Sequence, residues 1–346
     1  MANGGGTWLV TGGAGFLGIH LCRSLLEQAD KVISYDIAAI PPEEGLSGVV
    51  EVVGDIRDGA ALARALEGVD TVVHAAAALA LASPEEIDAV NAEGTRRVLE
   101  ASRAAGVRRL VYVSTTAVYG MPTAHPITED CALDPMGSYG IAKAKAEQYV
   151  LEQQGLSTVI IRPKSFIGTG RLGIFQVLFD WIESGCRIYI LGDGTNRFQL
   201  LSVLDLVEAI RLAGVAERPS EVYNLGAGEF GTVNEDVGAL LATAATGSRL
   251  VHIPSRPAKA ILNLLERLHL SPIYRWVYDT ADQDSFVGIE KAQRELGWHP
   301  KYSNRDALIS TYQWYLAEGK EMAEQEGTSH RTAWKQGALK LLKAIS

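Results

Sequence analysis

Two residues four positions apart, Tyr139 and Lys143, form the pair in this sequence best suited to moving a proton. The segment from Ser138 onward predicts a helix, so both side chains lie on one helical face. A phenol has an ordinary pKa of about 10, and lowering it to about 7 takes roughly 4 kcal/mol of differential stabilisation. A neighbouring ammonium favours the phenolate. The pair therefore predicts a general acid–base that works at neutral pH.

A run of hydroxyl side chains follows a strongly apolar segment upstream of this pair. Residues 109–114 predict a strand that leads into Ser-Thr-Thr-Ala-Val-Tyr-Gly. Ligands of parallel sheets bind at the carboxyl ends of the strands. We expect Thr115 to orient a substrate oxygen, as the third catalytic residue, and Thr116 to contact the substrate.

A glycine-rich turn follows the first predicted strand, residues 7–11, and opens a helix with an apolar face. Gly12, Gly15 and Gly18 have the spacing that lets a backbone turn tightly and approach a pyrophosphate at a helix N-terminus. Asp36 ends the second predicted strand, where its carboxylate can bind an adenosine ribose diol and would repel a 2′-phosphate. The pattern predicts NAD as the cofactor, whose oxidised ring adds a second positive charge beside Tyr139. Asp55 and Ile56 are expected to hold the adenine.

These residues require a scaffold in which strands and helices alternate. Six strands are predicted, at residues 7–11, 31–36, 49–54, 71–75, 109–114 and 158–162, with helices beginning near residues 15, 59, 84 and 138. This rhythm is typical of an α/β fold with a Rossmann-type, doubly wound parallel sheet. We predict an NAD-binding domain over residues 1–165, with return segments near 200–226, and a smaller, interleaved C-terminal α/β substrate lobe over residues 166–328.

Composition excludes several classes of function. The 346 residues are 47% hydrophobic and 21% charged with a formal net charge of −9, which fits a globular protein without general affinity for nucleic acid. Cys22, Cys131 and Cys186 lack the spacing of a disulfide framework or a metal site. Neither a signal peptide nor an apolar run of about 20 residues is visible. We expect a cytoplasmic enzyme with no bound metal.

The last 18 residues, 329–346, differ from the rest because they contain basic and apolar residues but no acidic ones. Such a basic, amphipathic tail can lie on an anionic membrane surface. We favour a solvated or dimer-packed tail and keep peripheral membrane contact as the alternative.

In the order and spacing of these motifs, the chain resembles the extended short-chain dehydrogenases/reductases of the NAD-dependent epimerase/dehydratase family from about Thr7 to Glu318. The resemblance is carried by Thr11–Gly18, Asp36, Asp55, residues 74–77, Asn91, Gly94-Thr95, Ser114–Gly120, Tyr139–Lys143, Arg162-Pro163, Gly192–Gly194 and Lys291–Pro300. It implies Tyr139 as acid/base, Lys143 on the nicotinamide ribose, Thr115 as the assisting hydroxyl, and a homodimer. The expected cofactor contacts are Gly12, Gly15, Phe16, Leu17, Gly18, Asp36, Asp55, Ile56, Ala75, Ala76, Ala77, Val113, Tyr139, Lys143 and Pro163.

The resemblance also bears on the reaction. Dehydratases and decarboxylases of the family carry an acidic residue where this chain has Ala117, so the sequence favours an epimerase working through a transient ketone. Nucleotide-sugar members carry Asn at the position of Ser165 and Arg at that of Phe198, so their bidentate diphosphate contacts are missing. We expect Ser165, Arg171, Arg197 and Thr116 to contact a nucleotide-linked, lipid-linked or otherwise activated sugar.

Two alternatives remain open at this point. The first is an NAD-dependent dehydrogenase or reductase that acts on a hydroxylated lipid, sterol or small alcohol. The second is a regulatory protein that binds NAD without turnover, which the presence of Thr115, Tyr139 and Lys143 argues against.

Overall fold

The structure is a computed structural model and describes residues 5–172, 174–217, 220–267, 275–320 and 343. Its centre is a parallel sheet of seven strands in the order 3-2-1-4-5-6-10. The strands are β1 (Thr7–Thr11), β2 (Lys31–Asp36), β3 (Val50–Val53), β4 (Thr71–His74), β5 (Arg109–Val113), β6 (Ser157–Pro163) and β10 (Glu221–Leu225). The predicted Rossmann-type α/β fold is confirmed. The sheet has one strand more than the six predicted, because β10 pairs in parallel with β6.

Helices cover both faces of this sheet. The even-numbered residues of β1, such as Trp8 and Val10, share an apolar core with helices α1, α7 and α11. The odd-numbered Leu9 lies in a second core with α2, α4 and α5. Alternation of side chains along β1 therefore gives each face its own helical layer. The helices are α1 (Phe16–Leu25), α2 (Gly59–Ala65), α3 (Pro84–Ile87), α4 (Thr95–Ala104), α5 (Gly137–Glu152), α7 (Val203–Val215) and α11 (Glu290–Leu296).

The remaining elements form a smaller lobe beside the carboxyl edge of the sheet. Two short parallel pairs belong to it, β7 (Phe166–Ile167) with β9 (Leu201–Ser202) and β8 (Ile188–Leu191) with β11 (Leu250–Ile253). Phe179, Leu240, Leu308 and Tyr312 lie in its own apolar core. Its helices are α6 (Ile174–Glu183), α8 (Val233–Ala244), α9 (Ser255–Arg267), α10 (Arg275–Thr280) and α12 (Asn304–Trp314).

The chain passes between the two parts more than once. It leaves the sheet after β6, builds β7, α6 and β8, and returns through β9 into α7 and β10. Pairing of Phe166 with Leu201 closes this excursion at its base. The carboxyl edge of the sheet consequently faces segments from both halves of the chain.

Two expectations concern the C-terminal tail and contact with a membrane. The basic tail, residues 329–346, lies outside the described residues apart from Lys343. Among the helices that are described, none combines the length and apolar character needed to cross a membrane.

Candidate active site

Lys143 fastens helix α5 to the end of strand β5. Its Nζ donates a hydrogen bond to the carbonyl oxygen of Val113, the last residue of β5, at 2.7 Å. The ammonium also lies 4.3 Å from the centre of the Tyr112 ring, and only 2% of the residue is exposed. Two of the predicted site residues, Val113 and Lys143, are thus in direct contact.

The burial of Lys143 has an electrostatic consequence. Loss of water around the ammonium lowers the pKa of Lys143 to about 7, although the negative charge of Glu147 acts in the opposite direction. A lysine with such a pKa exchanges its proton near neutrality, so this side chain can both carry a positive charge and pass a proton on.

Tyr139 lies one helical turn before Lys143 on α5 and is partly exposed. Burial raises the pKa of Tyr112 well above its usual value, and the negative charges of Glu147 and of an ionised Tyr139 add to this rise. The phenol of Tyr139 is therefore close to Tyr112, the residue on which the Lys143 ammonium rests. The structure brings the predicted acid–base pair to the end of β5.

Thr115 begins the short 3₁₀ turn Thr116–Tyr119 that follows β5. Its Oγ1 accepts a hydrogen bond from the backbone N–H of Ala117 at 3.2 Å, which caps the turn. Among the described residues no acceptor is seen for the hydroxyl proton of Thr115, so the proton can be donated to a substrate oxygen, as the predicted role requires. Thr116 is buried, with 8% of the residue exposed.

The glycine turn brings backbone atoms as close together as the predicted cradle demands. Gly12 has a φ of +73°, and a Cβ there would lie 2.8 Å from the backbone nitrogen of Ala76. A Cβ at Gly18 would overlap the carbonyl oxygen of Gly12. Gly15 precedes α1 and provides no side-chain cap, so the first N–H groups of the helix can donate hydrogen bonds to an anion. The residues present therefore fit a dinucleotide.

Asp36 is held in a fixed orientation at the end of β2. Its Oδ2 accepts a hydrogen bond from the N–H of Ala14 at 3.1 Å, and its Oδ1 accepts one from Ala38 at 3.0 Å. These bonds tie the carboxylate to the glycine turn on the other side of the cradle. Each carboxylate oxygen retains a second lone pair that can accept from a ribose hydroxyl.

Of the two residues predicted to hold adenine, Asp55 already has a partner and Ile56 is buried. The Asp55 carboxylate pairs with Arg57, with Nη2 and Oδ2 at 2.6 Å, and hydrogen bonds from Arg57 lower the pKa of Asp55. An adenine contact from this carboxylate would have to compete with that pair. Ile56 is buried, and its side chain packs close to Gly94.

The loop after β4 closes the cradle from the side. Ala75 donates its N–H to the carbonyl oxygen of Thr11, and Ala76 donates to the Thr11 hydroxyl. The side-chain amide of Asn91 binds the backbone of Ala78 twice. Its Oδ1 accepts from the Ala78 N–H at 2.7 Å, and its Nδ2 donates to the Ala78 carbonyl oxygen at 2.9 Å. Predicted residues Ala75, Ala76 and Ala77 consequently run beside Gly12.

His74 is structural in this arrangement. Its two ring nitrogens lie 2.7 Å from the Thr11 hydroxyl and 3.0 Å from the Thr95 hydroxyl. Burial lowers the pKa of His74 to about 3, and the charge of Lys143 contributes to this shift. The imidazole is neutral at physiological pH and connects β4 to β1 and α4.

Sequence reasoning missed a buried polar chain behind the acid–base pair. The Glu147 carboxylate accepts hydrogen bonds from Ser114 at 2.5 Å and from Arg162, whose Nη2 lies 2.5 Å from Oε2. Arg162 also donates to the Tyr119 hydroxyl at 2.7 Å, which itself donates to Asn224. The available signal was the spacing of Glu147, one turn after Lys143 and at a position that packs inward.

Sequence reasoning also missed Lys164, which directly follows β6. Only 3% of this residue is exposed, and its Nζ donates to the Ser285 hydroxyl at 2.6 Å. Burial lowers the pKa of Lys164 to about 7. A lysine placed immediately after Arg162-Pro163, at the carboxyl end of a buried strand, was the signal that could have found it.

The four predicted substrate residues occupy different surroundings. The Arg171 guanidinium lies 5.3 Å from the Phe16 ring and 5.5 Å from the Phe166 ring, next to the first turn of α1. Arg197 is exposed between the rings of Phe230 and Phe286, at 4.5 and 4.6 Å. Ser165 is partly buried, and its carbonyl oxygen accepts from Leu201. The two arginines therefore do not share one clamp, and Arg171 lies on the side of the cofactor cradle.

Comparison with known proteins agrees with this geometry. Residues 8–226 match the family described as NAD dependent epimerase/dehydratase family. A 2-alkyl-3-oxoalkanoate reductase from Stenotrophomonas maltophilia is 33% identical, over 87% of this chain and 96% of that protein. The epimerase Mth375 from Methanothermobacter thermautotrophicus superimposes with a TM-score of 0.77 at 27% identity, covering 92% of this chain and 95% of that one.

A further solved structure, MoeE5 in complex with UDP-glucuronic acid and NAD, superimposes with a TM-score of 0.71 at 27% identity, covering 90% of this chain and 99% of that one. The match extends over both the sheet and the smaller lobe. With a dinucleotide cradle at β1, an acid–base pair at β5 and these relatives, the chain belongs to the NAD-dependent epimerase/dehydratase family and uses NAD as its cofactor.

Proposed function

We propose that this protein is a sugar epimerase that works through a transient ketone and acts on a nucleotide-linked, lipid-linked or otherwise activated sugar. The observation that carries the proposal is the Tyr139–Lys143 pair at the end of β5, beside a turn whose residue 117 is an alanine. The pair supports oxidation of a carbinol, and the alanine gives no acid for elimination of water.

In the proposed reaction, Tyr139 takes the proton of the substrate hydroxyl while bound NAD supplies the site that accepts and later returns the hydride. Thr115 donates its free hydroxyl proton to the same substrate oxygen and keeps it aligned with Tyr139. The positive charge of Lys143 favours the phenolate form of Tyr139. Return of the proton from Tyr139 then restores the alcohol after the sugar has presented its other face.

The distinction from a dehydratase depends on the turn after β5. Elimination of water needs a group that protonates the departing hydroxyl, and a carboxylic acid with a raised pKa commonly serves. Ala117 has no proton to give, and the neighbouring Thr115 and Thr116 carry hydroxyls that are much weaker acids. An epimerase needs no such acid.

A second function is favoured by a specific observation. The 33% identical relative from Stenotrophomonas is named as a reductase of a 2-alkyl-3-oxoalkanoate. The phenyl rings of Phe198, Phe230 and Phe286 line the segment next to Lys164 and Arg197, which suits an apolar substrate. Under this alternative, the same Tyr139 and Thr115 protonate and orient a ketone while NADH is consumed.

The two functions are separated by the fate of the cofactor. The protein is purified without added NAD, denatured, and the released nucleotide is quantified, because an epimerase returns each hydride and can retain its cofactor. In parallel, UDP-glucose and UDP-glucuronic acid are incubated with the enzyme and followed by NMR and mass spectrometry. A new stereoisomer of unchanged mass supports the epimerase; loss of water, or net NADH turnover without isomerisation, contradicts it.

We further propose a cytoplasmic homodimer that pairs through the helical segments around residues 85–105 and 138–154. Helix α5 leaves apolar side chains exposed, with Ile141 at 55% and Leu151 at 53%. Burial of such groups stabilises association.

A further inference from the structure

We propose that Lys164 binds a carboxylate of the substrate next to the reacting carbon, so that the preferred substrate is an acid, under the proposed function a sugar acid, and not a neutral alcohol. The inference rests on the proposed function only in that it places the substrate at Thr115 and Tyr139. A carboxylate requirement is compatible with the epimerase and with the reductase.

The first argument is the position of Lys164. Strands β5 and β6 pair with Val113 opposite Ile161, and the Ser114 N–H donates to the carbonyl oxygen of Ile161 at 2.7 Å. Continuing this register places Lys164 one strand away from Thr115, just past its level. The lysine therefore leaves the sheet at the same edge as the catalytic hydroxyl.

The second argument is the incomplete set of partners around the ammonium. A lysine ammonium has three protons to donate. Among the residues that the structure describes, the Ser285 hydroxyl is the one acceptor bonded to Lys164 Nζ, and no carboxylate lies within ion-pair distance. The ammonium also lies 5.1 Å from the centre of the Phe198 ring. Buried charges are ordinarily paired, so this ammonium is suited to an anionic partner.

The third argument is the contrast with the other buried cations at this edge of the sheet. Arg162 has the Glu147 carboxylate, and Lys143 has the carbonyl oxygen of Val113 as well as the nearby charge of Glu147. Lys164 has the Ser285 hydroxyl and the Phe198 ring but, among the described residues, no carboxylate whose charge offsets the loss of water that lowers its pKa. Retaining an uncompensated cation here costs stability, which a structural role would not explain.

A diphosphate is a less suitable partner than a carboxylate. Diphosphates are bound best by the planar, bidentate fork of arginine, and Arg197 is exposed on the same segment as Phe198. Lys164 supplies a single compact charge inside the protein, at a position one strand away from Thr115 in the sheet register. A carboxylate attached near the reacting carbinol matches that position and that charge.

The test compares acid and neutral ligands that otherwise match. Calorimetry measures the affinity of the NAD-loaded protein for two pairs of ligands. The first pair is UDP-glucuronic acid and UDP-glucose, with UDP alone as a reference, and the second is a 2-alkyl-3-oxoalkanoate and its methyl ester. The variants are Lys164→Met, Lys164→Gln and a control, Lys31→Met, an exposed lysine at the amino end of β2. Thermal unfolding and NAD content verify folding, and Lys164→Met is expected to be no less stable than the wild type because it removes a buried charge.

We expect the wild type to prefer the acid in at least one pair by about 10- to 100-fold, the range of a hydrogen-bonded charge pair. Lys164→Met and Lys164→Gln should abolish the preference while Lys31→Met keeps it. Three outcomes overturn the carboxylate assignment. The wild type binds the acid and neutral forms equally, or it binds none of the ligands, or Lys164→Met weakens binding of UDP and of both UDP-sugars to the same extent. If the wild type epimerises UDP-glucose and Lys164→Met does not change ligand binding, this inference alone is refuted. If the preference for the acid depends on Lys164 but occurs only with the keto acid, the sugar proposal alone is refuted.

Discussion

The carboxylate of Glu147 and the guanidinium of Arg162 form a bidentate ion pair in which both residues are almost fully buried, with side-chain exposures of 1% and 5%. The pair lies directly behind Lys143 and Ser114, so it links the catalytic helix α5 to strand β6. Removing one of the two charges measures how much the pair contributes to the free energy of unfolding.

Glu147→Gln should destabilise the protein by about 3–5 kcal/mol, because it leaves the buried Arg162 without its counter-charge. Urea unfolding measures the change. The matched control is Glu208→Gln, which breaks the Glu208–Arg211 pair on α7, where Glu208 is 40% exposed. That control should cost less than about 1 kcal/mol. Equal losses in both variants would contradict the structural role of Glu147.

Tyr139→Phe should reduce turnover on the order of 10²- to 10⁴-fold, since it removes the proposed proton acceptor. NAD content and the unfolding midpoint should stay close to those of the wild type. Tyr149→Phe is the control on the same helix, because the Tyr149 hydroxyl donates to Glu93 on the far side from Lys143 and takes no part in the site. Unchanged turnover in Tyr139→Phe would remove the assignment and would favour a protein that binds NAD without catalysis.

Gly18→Ala should abolish NAD binding or folding, because the added methyl group would overlap the backbone of Gly12 and Gly13. The control is Gly59→Ala, at the start of α2, where a Cβ meets no atom within 4 Å. Gly59→Ala should be neutral or slightly stabilising, since alanine favours helix by about 1 kcal/mol over glycine. NAD released on denaturation measures the difference, and normal NAD retention by Gly18→Ala would contradict the proposed cradle.

Stability should fall on acidification because of His74. Its folded pKa of about 3 lies below the ordinary value of 6.5, so the unfolded chain binds the proton first. The contribution of the neutral imidazole is complete above pH 6.5 and decreases by about 1.4 kcal/mol per unit as the pH falls towards 3. Between pH 6.5 and 5.5 urea unfolding should show a loss of about 1 kcal/mol, since the unfolded histidine is only half protonated at pH 6.5. The wild type and the control His299→Asn, at an exposed residue, should both show this loss. A slope unchanged in His74→Asn would refute the prediction.

Ile141→Glu tests the proposed dimer. A charge placed on the exposed apolar side of α5 would be buried if that helix pairs with a second copy, which costs several kcal/mol. Sedimentation should then show monomers, whereas a surface variant outside both helical segments, Glu43→Gln, should leave the assembly unchanged. A dimer that tolerates Ile141→Glu must use another face.

How far the sequence predicts this molecule depends on the range of the interaction. The strand β1, the glycines, α1 and Asp36 were all predicted, because each depends on turn geometry and side-chain period within a short segment. Tyr139 and Lys143 were found for the same reason. Other contacts join different elements of the fold. They are the pairing of β10 with β6, the ion pair of Glu147 with Arg162, and the hydrogen bond from Lys164 to Ser285. No local pattern encodes such contacts.

The place of β10 in the sheet also bears on how the protein is made. A nascent chain that has reached residue 165 lacks an edge strand and the covering helix α7, which packs on the β4–β6 side of the sheet. Synthesis must continue through β7, α6 and β8 before those pieces exist. The sheet of the NAD-binding half is consequently finished only after part of the substrate lobe has emerged, so residues 1–165 cannot mature as a free-standing module.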